Sequence, residues 1–358
     1  MSDENLSCSE AQSALENIKS LKREFDRAFE DAVRTGHLEH ANKLRSDLES
    51  HVRNLRESLI TPIELKLDLK NQYESQRNIL KNAGILEQLS SNESGIFGID
   101  GKEYPMPSYQ AIRDLVREKK DVLDKKAEQG FTRLLVVPFG MRLDDLILQY
   151  RAMLLRHKLE EKLFGTKEKE SDSDEPLDLD VNDQVWIWAE YREADVNGKL
   201  VYDPKGFNRN HGGKTKKDIL AAAQGKLSPV WRVILIESDP NIPREMKGIE
   251  IGGRHRIETN RAPNEYLALI GRNEYKDETG MTPEEWLVQA ISYLEENNQV
   301  IDDCKGRGSI AYNTGAYFPA SDSVPCAYWF RSNRQAFLNG REPTSRFGSI
   351  GARSVVRL

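Results

Sequence analysis

Residues 315–358 have the sequence GAYFPASDSVPCAYWFRSNRQAFLNGREPTSRFGSIGARSVVRL, and this C-terminal stretch decides how the chain is interpreted. Chain termini are usually frayed and polar because nothing holds them in place. Here aromatic and arginine side chains, the types that carry most binding energy at protein interfaces, alternate with Gly, Pro and Ser. The stretch then ends on Val355, Val356 and Leu358, which predict a closing strand in a core. We therefore expect a surface that is held rigidly from behind.

The C-terminal stretch also contains the candidate ligand-binding residues. Arginine is rarely buried without a partner, and Gly and Pro between positions 340 and 351 predict loops, which lie on the surface. Trp329 and Ala336 are expected to point inward. The alternative is that all the aromatic side chains form the core of a small domain. The residues predicted to face a ligand are Tyr328, Phe330, Arg331, Asn333, Arg334, Phe337, Asn339, Arg341, Arg346 and Phe347.

Three segments of the stretch carry a family resemblance: Ala316-Tyr-Phe-Pro-Ala, Val324-Pro-Cys-Ala-Tyr-Trp-Phe-Arg and Gly351-Ala-Arg-Ser-Val-Val-Arg-Leu. They resemble the C-terminus of the variable proteins of diversity-generating retroelements. In that family a C-type-lectin-like domain ends in a strand of the kind Gly-x-Arg-x-x-x-Arg, and mutagenic reverse transcription rewrites residues just before it. The resemblance implies a non-enzymatic binding protein with a diversified, hypervariable C-terminal surface.

Four further segments extend the likeness along the chain: Gly98-Ile-Asp-Gly-Lys-Glu-Tyr-Pro, Glu128-Gln-Gly-Phe-Thr, Val137-Pro-Phe-Gly-Met and Pro240-Asn-Ile-Pro-Arg-Glu. They are similar to proteins common in candidate-phylum bacteria with small genomes. The expected fold class is α+β. A helical bundle or hairpin would precede a C-type-lectin-like domain, of the type that also occurs in formylglycine-generating enzymes.

The composition limits the classes of partner and compartment. The chain has 358 residues and a net charge of -6, which gives no reason to expect nucleic acid as a partner. Its three cysteines, Cys8, Cys304 and Cys326, are far apart, which fits a reducing compartment better than a disulfide framework. No apolar run is long enough to span a bilayer, and the N-terminus has no secretory pattern. We expect a soluble cytoplasmic protein.

Residues 1–90 are predicted to form a helical hairpin or coiled coil. Apolar side chains recur every three or four residues in two predicted helices, separated by a break at Gly36. Two interpretations stay open: an intramolecular bundle, or a homo-oligomer formed through these helices. The two apolar stripes are Leu15, Ile18, Leu21, Phe25, Phe29 and Ala32, and then Ala41, Leu44, Leu48, Val52, Leu55 and Leu59.

Three more regions follow. Residues 91–165 are α-rich with one short apolar strand at 131–139. Residues 166–180 are acidic and nearly free of apolar bulk, which predicts a disordered linker and a domain boundary. Residues 181–358 would form the lectin-like domain with the terminal variable patch. The apolar strands at 185–189 and 355–358 lie at the two ends of this block, and we expect them to pair in one sheet.

The sequence contains few patterns typical of a catalytic, metal or anion-binding site. The Gly252-Gly253-Arg254-His255-Arg256 loop could hold a phosphate or carboxylate, but it has no nucleophile beside it. Cys304 and Cys326 are the only candidates for a cysteine pair of the formylglycine-generating type. We therefore expect no catalytic residue, no metal and no cofactor. The expected partner is an unknown macromolecule, most simply a protein. An enzyme on the same fold and a structural or oligomerising protein are the alternatives.

Overall fold

The computed structural model describes residues 8–35, 39–58, 62–223 and 229–358. The chain divides into two compact units, Met1–Leu65 and Lys66–Leu358. Helices and sheets are both present, so the predicted α+β class is confirmed.

The first unit contains helices α1 (Cys8–Thr35) and α2 (Glu39–Ser58), and α3 (Pro62–Lys66) runs across the boundary. The bounds of α1 and α2 agree with the predicted helices; Gly36, Leu59 and the side chains of Leu15 and Leu55 lie outside the described residues. Among the described side chains of α1 and α2, only those of Ala32 and Ala41 are buried. Phe29 and Val33 are 49% and 69% exposed. The apolar seam between the two helices is therefore thin.

The first half of the second unit is rich in helices. Asp68 adopts a left-handed conformation, with φ of 47°, which separates α3 from the next helix. The elements are α4 (Leu69–Asn82), β1 (Glu87–Gln88), β2 (Ser94–Phe97), β3 (Glu103–Pro105), α5 (Tyr109–Glu118), α6 (Lys120–Glu128), β4 (Phe131–Val137) and α7 (Leu143–Leu159).

The second half has many short strands. Those before residue 281 are β5 (Val185–Ile187), β6 (Val201–Tyr202), β7 (Lys214–Thr215), β8 (Arg232–Glu237), β9 (Glu250–Ile251), β10 (Arg254–His255) and β11 (Thr279–Gly280), with helices α8 (Lys216–Ala223) and α9 (Pro263–Ile270). The rest are α10 (Pro283–Asn297), β12 (Asp303–Cys304), β13 (Ile310–Tyr312), β14 (Ala316–Tyr317), β15 (Val324–Phe330), β16 (Gln335–Arg341), β17 (Ile350–Ala352) and β18 (Ser354–Arg357). Short 3₁₀ turns occur at Ala189–Tyr191 and Asn273–Tyr275.

Two larger sheets organise this unit. One has the strand order β11-β18-β8-β4, and the other has the order β17-β13-β15-β16-β5, with β12 also paired to β15. The C-terminal strand β18 is thus a buried inner strand, but it pairs with β8 and β11. The prediction that it shares a sheet with residues 185–189 is wrong. An apolar strand pattern predicts burial, but it does not identify the neighbouring strand.

Helix α10 lies at the centre of the second unit, packed against α7, β4 and β15. The Thr282 side chain caps its N-terminus by accepting from the backbone N–H of Glu285, and the Glu285 carboxylate accepts from the N–H of Thr282. Its buried Trp286 meets Tyr150 of α7 edge to face, with ring centroids 5.9 Å apart. The helix therefore supports both sheets from inside.

The acidic segment 166–180 is packed, so the predicted linker is wrong. Leu177 and Leu179 are buried, and backbone hydrogen bonds join Gly165 to Glu175 and Leu177 to Leu163. Ion pairs hold the acidic side chains, for example Lys167–Asp174 at 2.7 Å. The chain is not divided here either, because β4 from the preceding region pairs along its length with β8. Regions 91–165 and 181–358 share one sheet and cannot be separate domains.

Candidate ligand-binding face

One face of the six-stranded sheet carries most of the predicted site residues. Side chains alternate between the two faces of a strand, and the β15–β16 register places Tyr328 opposite Phe337 and Cys326 opposite Asn339. We call this side, with Phe330 and Arg341, the aromatic face. Trp329, Ala336 and Leu338 point to the other side and are buried, which confirms the inward prediction for the first two. The aromatic face thus lies on a rigid, fully packed support.

Four rings form a continuous row across three strands. Phe337 stacks on Trp186 of β5 with centroids 5.1 Å apart, and on Tyr328 with centroids 5.3 Å apart. Phe330 meets Phe337 edge to face at 5.5 Å. The parallel pairing of β5 with β16 sets Trp186 directly beside Phe337. Neighbouring cross-strand side chains of this kind support one another.

The exposure of these rings varies along the row. Tyr328 is only 6% exposed, so its predicted position on an open patch is wrong. It lies on the inner strand β15, in a cluster with Tyr312 of β13 and Tyr266 of α9. Phe330, Phe337 and Trp186 are half-buried, with part of each ring open to solvent. The row therefore runs from the core to the surface.

Arg331 serves the scaffold and is not directed to the aromatic face. Its Nε and Nη2 atoms contact the carboxylate of Asp303, at 2.6 to 3.0 Å, and its Nη1 donates to Glu175. Asp303 is fully buried. These carboxylates raise the pKa of the Arg331 guanidinium, and Arg331 in turn lowers the pKa of Glu175. Arg331 ties the β15–β16 turn to the 166–180 segment.

Two other predicted arginines are paired at the surface. Arg334 contacts Asp178 at 2.9 Å, and its guanidinium and Lys158 lower the pKa of the Asp178 carboxyl to about 2. Arg346 is paired with Glu265. Both arginines remain more than half exposed, and Asn333 is exposed in the turn between β15 and β16. A ligand could reach all three, but it would compete with a carboxylate for each arginine.

Arg341 and Lys305 differ from these arginines because neither forms an ion pair with a described carboxylate. The Arg341 guanidinium lies 5.6 Å from the ring centroid of Phe347, which is 42% exposed. The Nε of Arg341 is buried with no hydrogen-bond partner among the described residues. The Lys305 ammonium lies 4.8 Å from the centroid of Phe330 and donates to Ser332. Each cation thus borders one end of the aromatic face.

Trp186 and Lys305 were missing from the predicted site. The aromatic side of the strand at 185–189 is visible in the sequence, but its alignment with Phe337 depends on a parallel pairing between distant segments. Lys305 reaches the site through the pairing of Cys304 with Phe330. Beyond Trp186, an open groove with a volume of 540 Å³ continues along α7, lined by Leu148, Arg151 and Ile187 among others. Leu148 is largely exposed there.

The two thiols at the aromatic face, those of Cys304 and Cys326, are not activated for nucleophilic chemistry. Burial raises the pKa of the Cys326 thiol to about 12, and burial also raises the pKa of Cys304. Neither cysteine forms a disulfide. Nucleophilic chemistry needs a thiolate, and neither thiol is deprotonated near neutral pH. In the four described ranges no three His, Cys, Asp or Glu side chains come together to hold a metal ion.

The Gly252–Arg256 loop does not offer an anion site. It is the β9–β10 hairpin, and its Arg254 is fully buried between Glu237 and Glu278, at 2.7 and 2.8 Å. Arg256 is likewise paired with Glu237 and Asp239. Protein carboxylates already occupy both guanidinium groups. The arginines of this loop therefore hold the hairpin onto β8.

None of the helices in the described residues is long and apolar enough to cross a bilayer. No protein family model, no curated protein and no solved structure matches this chain.

Proposed function

We propose that the chain is a non-enzymatic binding protein and that the aromatic face is its recognition surface. The observation that carries the proposal is the half-open row of Trp186, Phe337 and Phe330. Phe347, which is 42% exposed, lies beside Arg341. Aromatic side chains contribute large contact areas at interfaces with little loss of conformational entropy. A row of them left open to solvent on a packed sheet is typical of a protein-binding site.

The proposal includes the family suggested by the C-terminal residues. A variable protein needs positions whose side chains can change while the scaffold stays folded. Phe330, Phe337 and Asn339 project to the open side of strands whose other side is buried, and Asn333 and Phe347 lie on turns and loops. Such positions tolerate substitution, because the buried side chains carry the stability. The lectin-like assignment of the fold and the retroelement origin belong to this proposal.

The ligand would be a macromolecule, most simply a protein met in the cytoplasm. A half-exposed row of rings beside an open groove suits a surface-to-surface contact better than a small molecule, which binds in enclosed concave pockets. Nucleic acid is disfavoured by the net charge of -6. The thin seam of α1 and α2 suggests in addition that several copies assemble through these helices, which would raise avidity without new contacts.

A pair of matched libraries tests the proposed function. In one, the outward positions Phe330, Asn333, Phe337, Asn339 and Phe347 are randomised. We expect most members to unfold cooperatively and some to bind a folded test protein such as a small enzyme. Measurements are yeast-surface display level and binding to the labelled test protein.

The control library randomises Trp329, Ala336 and Leu338 on the buried side of the same strands. Most of its members should fail to fold, because truncating a buried aromatic costs roughly 3–5 kcal/mol. If the outward library were displayed no more often than this control, or never yielded a binder, the aromatic face would not be a diversifiable recognition surface.

A further inference from the structure

The cations around the aromatic face are arranged unevenly. Arg331, Arg334 and Arg346 each contact a carboxylate of the protein. Lys305 and Arg341 contact rings of the face instead and pair with none of the described carboxylates. Arg341 is partly buried, its Nε has no hydrogen-bond partner among the described residues, and a partly buried guanidinium without an anion is unfavourable. Lys305 is exposed, so a carboxylate from outside can pair with it without displacing one of the protein.

Lys305 and Arg341 lie beside opposite ends of strand β15. Lys305 follows Cys304, which pairs with Phe330 at the end of β15, and Arg341 pairs with Val324 at its start. Strand β15 has seven residues, so its ends are about 20 Å apart at the usual rise of a strand. The exposed edges of Phe330 and Phe337 lie between the two cations, with Trp186 beside them.

We propose that this surface recognises an acidic polypeptide segment bound in an extended conformation, an inference that rests on the proposed function. Two carboxylates of the segment pair with Lys305 and Arg341, and apolar side chains between them cover Phe337 and its neighbours. Because an extended chain covers about 3.3–3.6 Å per residue, the two acidic residues stand about six positions apart. The charges and the rings are thus complementary to one linear motif.

A single-stranded nucleic acid is the competing ligand, since bases stack on aromatic rings. It fits less well, because phosphates recur at every nucleotide and need a continuous basic track. Among the described residues, Lys305 and Arg341 are the cations that contact rings of the face without a carboxylate partner, and Arg331, Arg334 and Arg346 are already neutralised by carboxylates. The overall charge of -6 also repels a polyanion.

The test uses the full chain and a random dodecapeptide library. Peptides are selected on the wild-type protein, and the affinity of the strongest is measured by fluorescence anisotropy. The variants are Lys305→Glu, Arg341→Glu and the control Lys217→Glu, which makes the same charge change at an exposed position in α8. Melting curves confirm that each variant is folded. A single-stranded oligothymidylate is measured in parallel.

Selected peptides should carry two acidic residues about six positions apart around apolar residues. Each charge reversal at the face should weaken binding about tenfold or more, since like charges brought together cost over 1 kcal/mol. Lys217→Glu should bind as the wild type does.

Three results would overturn the inference. Selected peptides could lack acidic residues, could bind the two reversed variants as tightly as the wild type, or could bind more weakly than the oligothymidylate. The variant Phe337→Ser distinguishes failure of the acidic-ligand inference from failure of the proposed function. If it abolishes peptide binding while the charge reversals do not, the aromatic face is still a recognition surface and only the acidic ligand class is wrong. If it has no effect either, the proposed function is wrong as well.

Discussion

Arginine residues near the C-terminus illustrate what a single position in the sequence can and cannot reveal. Arg331, Arg353 and Arg357 each contact a buried carboxylate, namely Asp303, Asp302 or Glu285. Their neighbours in sequence, such as Arg334, pair only at the surface. The side chain is the same in every case, so a single position in the sequence does not show which role its arginine has. The difference lies in partners that are distant in sequence, and only the folded chain reveals it.

Stability measurements on two arginine variants should separate these roles. Arg331→Ala leaves the buried carboxylate of Asp303 without its cation, and we expect a loss of about 2–4 kcal/mol, somewhat less than for a fully buried pair because Arg331 is partly exposed. Arg334→Ala removes a contact between two exposed side chains and should change stability by less than about 1 kcal/mol. Urea denaturation followed by circular dichroism measures both. Equal effects would mean that Arg331 is a surface residue like Arg334.

Single elements are most visible in the sequence where the signal is local. Strands β4 and β8 appear as β-branched apolar runs, and the start of α10 appears as Thr-Pro-Glu-Glu, so their positions follow from neighbouring residues. The strands that pair with β5 and β18 could not be predicted from the sequence, because a short apolar strand fits many neighbours equally well. The prediction of a disordered linker at 166–180 is wrong for another reason. Two leucines and several ion pairs are enough to hold it, although its average composition is typical of disorder.

Hydrogen exchange should distinguish a packed 166–180 segment from a linker. The amides of Leu177 and Asp180 donate to Leu163 and Arg334, and they should exchange far more slowly than those of an unstructured chain at neutral pH. Arg334 and Lys158 lower the pKa of Asp178 to about 2. The ion pairs of Asp178 therefore stabilise the segment fully at pH values above 3.8, its ordinary pKa. That contribution is lost as the pH falls from 3.8 to about 2.

We therefore expect protection at Leu177 and Asp180 to decrease in that acidic range before the unit unfolds. Mass spectrometry of peptides covering residues 166–180 provides the measurement, with peptides from the interior of α10 as the protected control. Immediate exchange at neutral pH would show that the segment is a linker after all.

At the scale of the whole molecule, the sequence located the candidate site only in part. It placed Phe330, Phe337 and Arg341 on one surface, as the structure does, because arginines mixed with aromatic residues and Gly or Pro predict a surface. It did not predict strands β15 and β16, whose alternation puts these three side chains on one side. It missed the contributions of Trp186 and Lys305, which come from segments over twenty residues away. It also missed the burial of Tyr328, since the depth of a strand within a sheet depends on strand order. Long-range pairing is the information that a local pattern lacks.

The last prediction concerns assembly through the first unit. In a lone two-helix hairpin the exposed Phe29 and Val33 remain in water, and the described buried side chains of α1 and α2 are two alanines. Burying each large apolar side chain contributes about 1.5–3 kcal/mol, so a second copy that covers this stripe would be favoured. Light scattering after gel filtration should then give a mass that is a multiple of 40.9 kDa.

The double variant Phe29→Glu/Val33→Glu should shift the mass to that of one chain, because it places charges in the contact. The control Ser13→Glu/Ser20→Glu adds the same charge to exposed positions of α1 that lie away from the stripe, and it should leave the mass unchanged. A wild-type protein that stays at the mass of one chain at high concentration would remove the case for multivalent display, and each chain would have to bind its ligand through a single aromatic face.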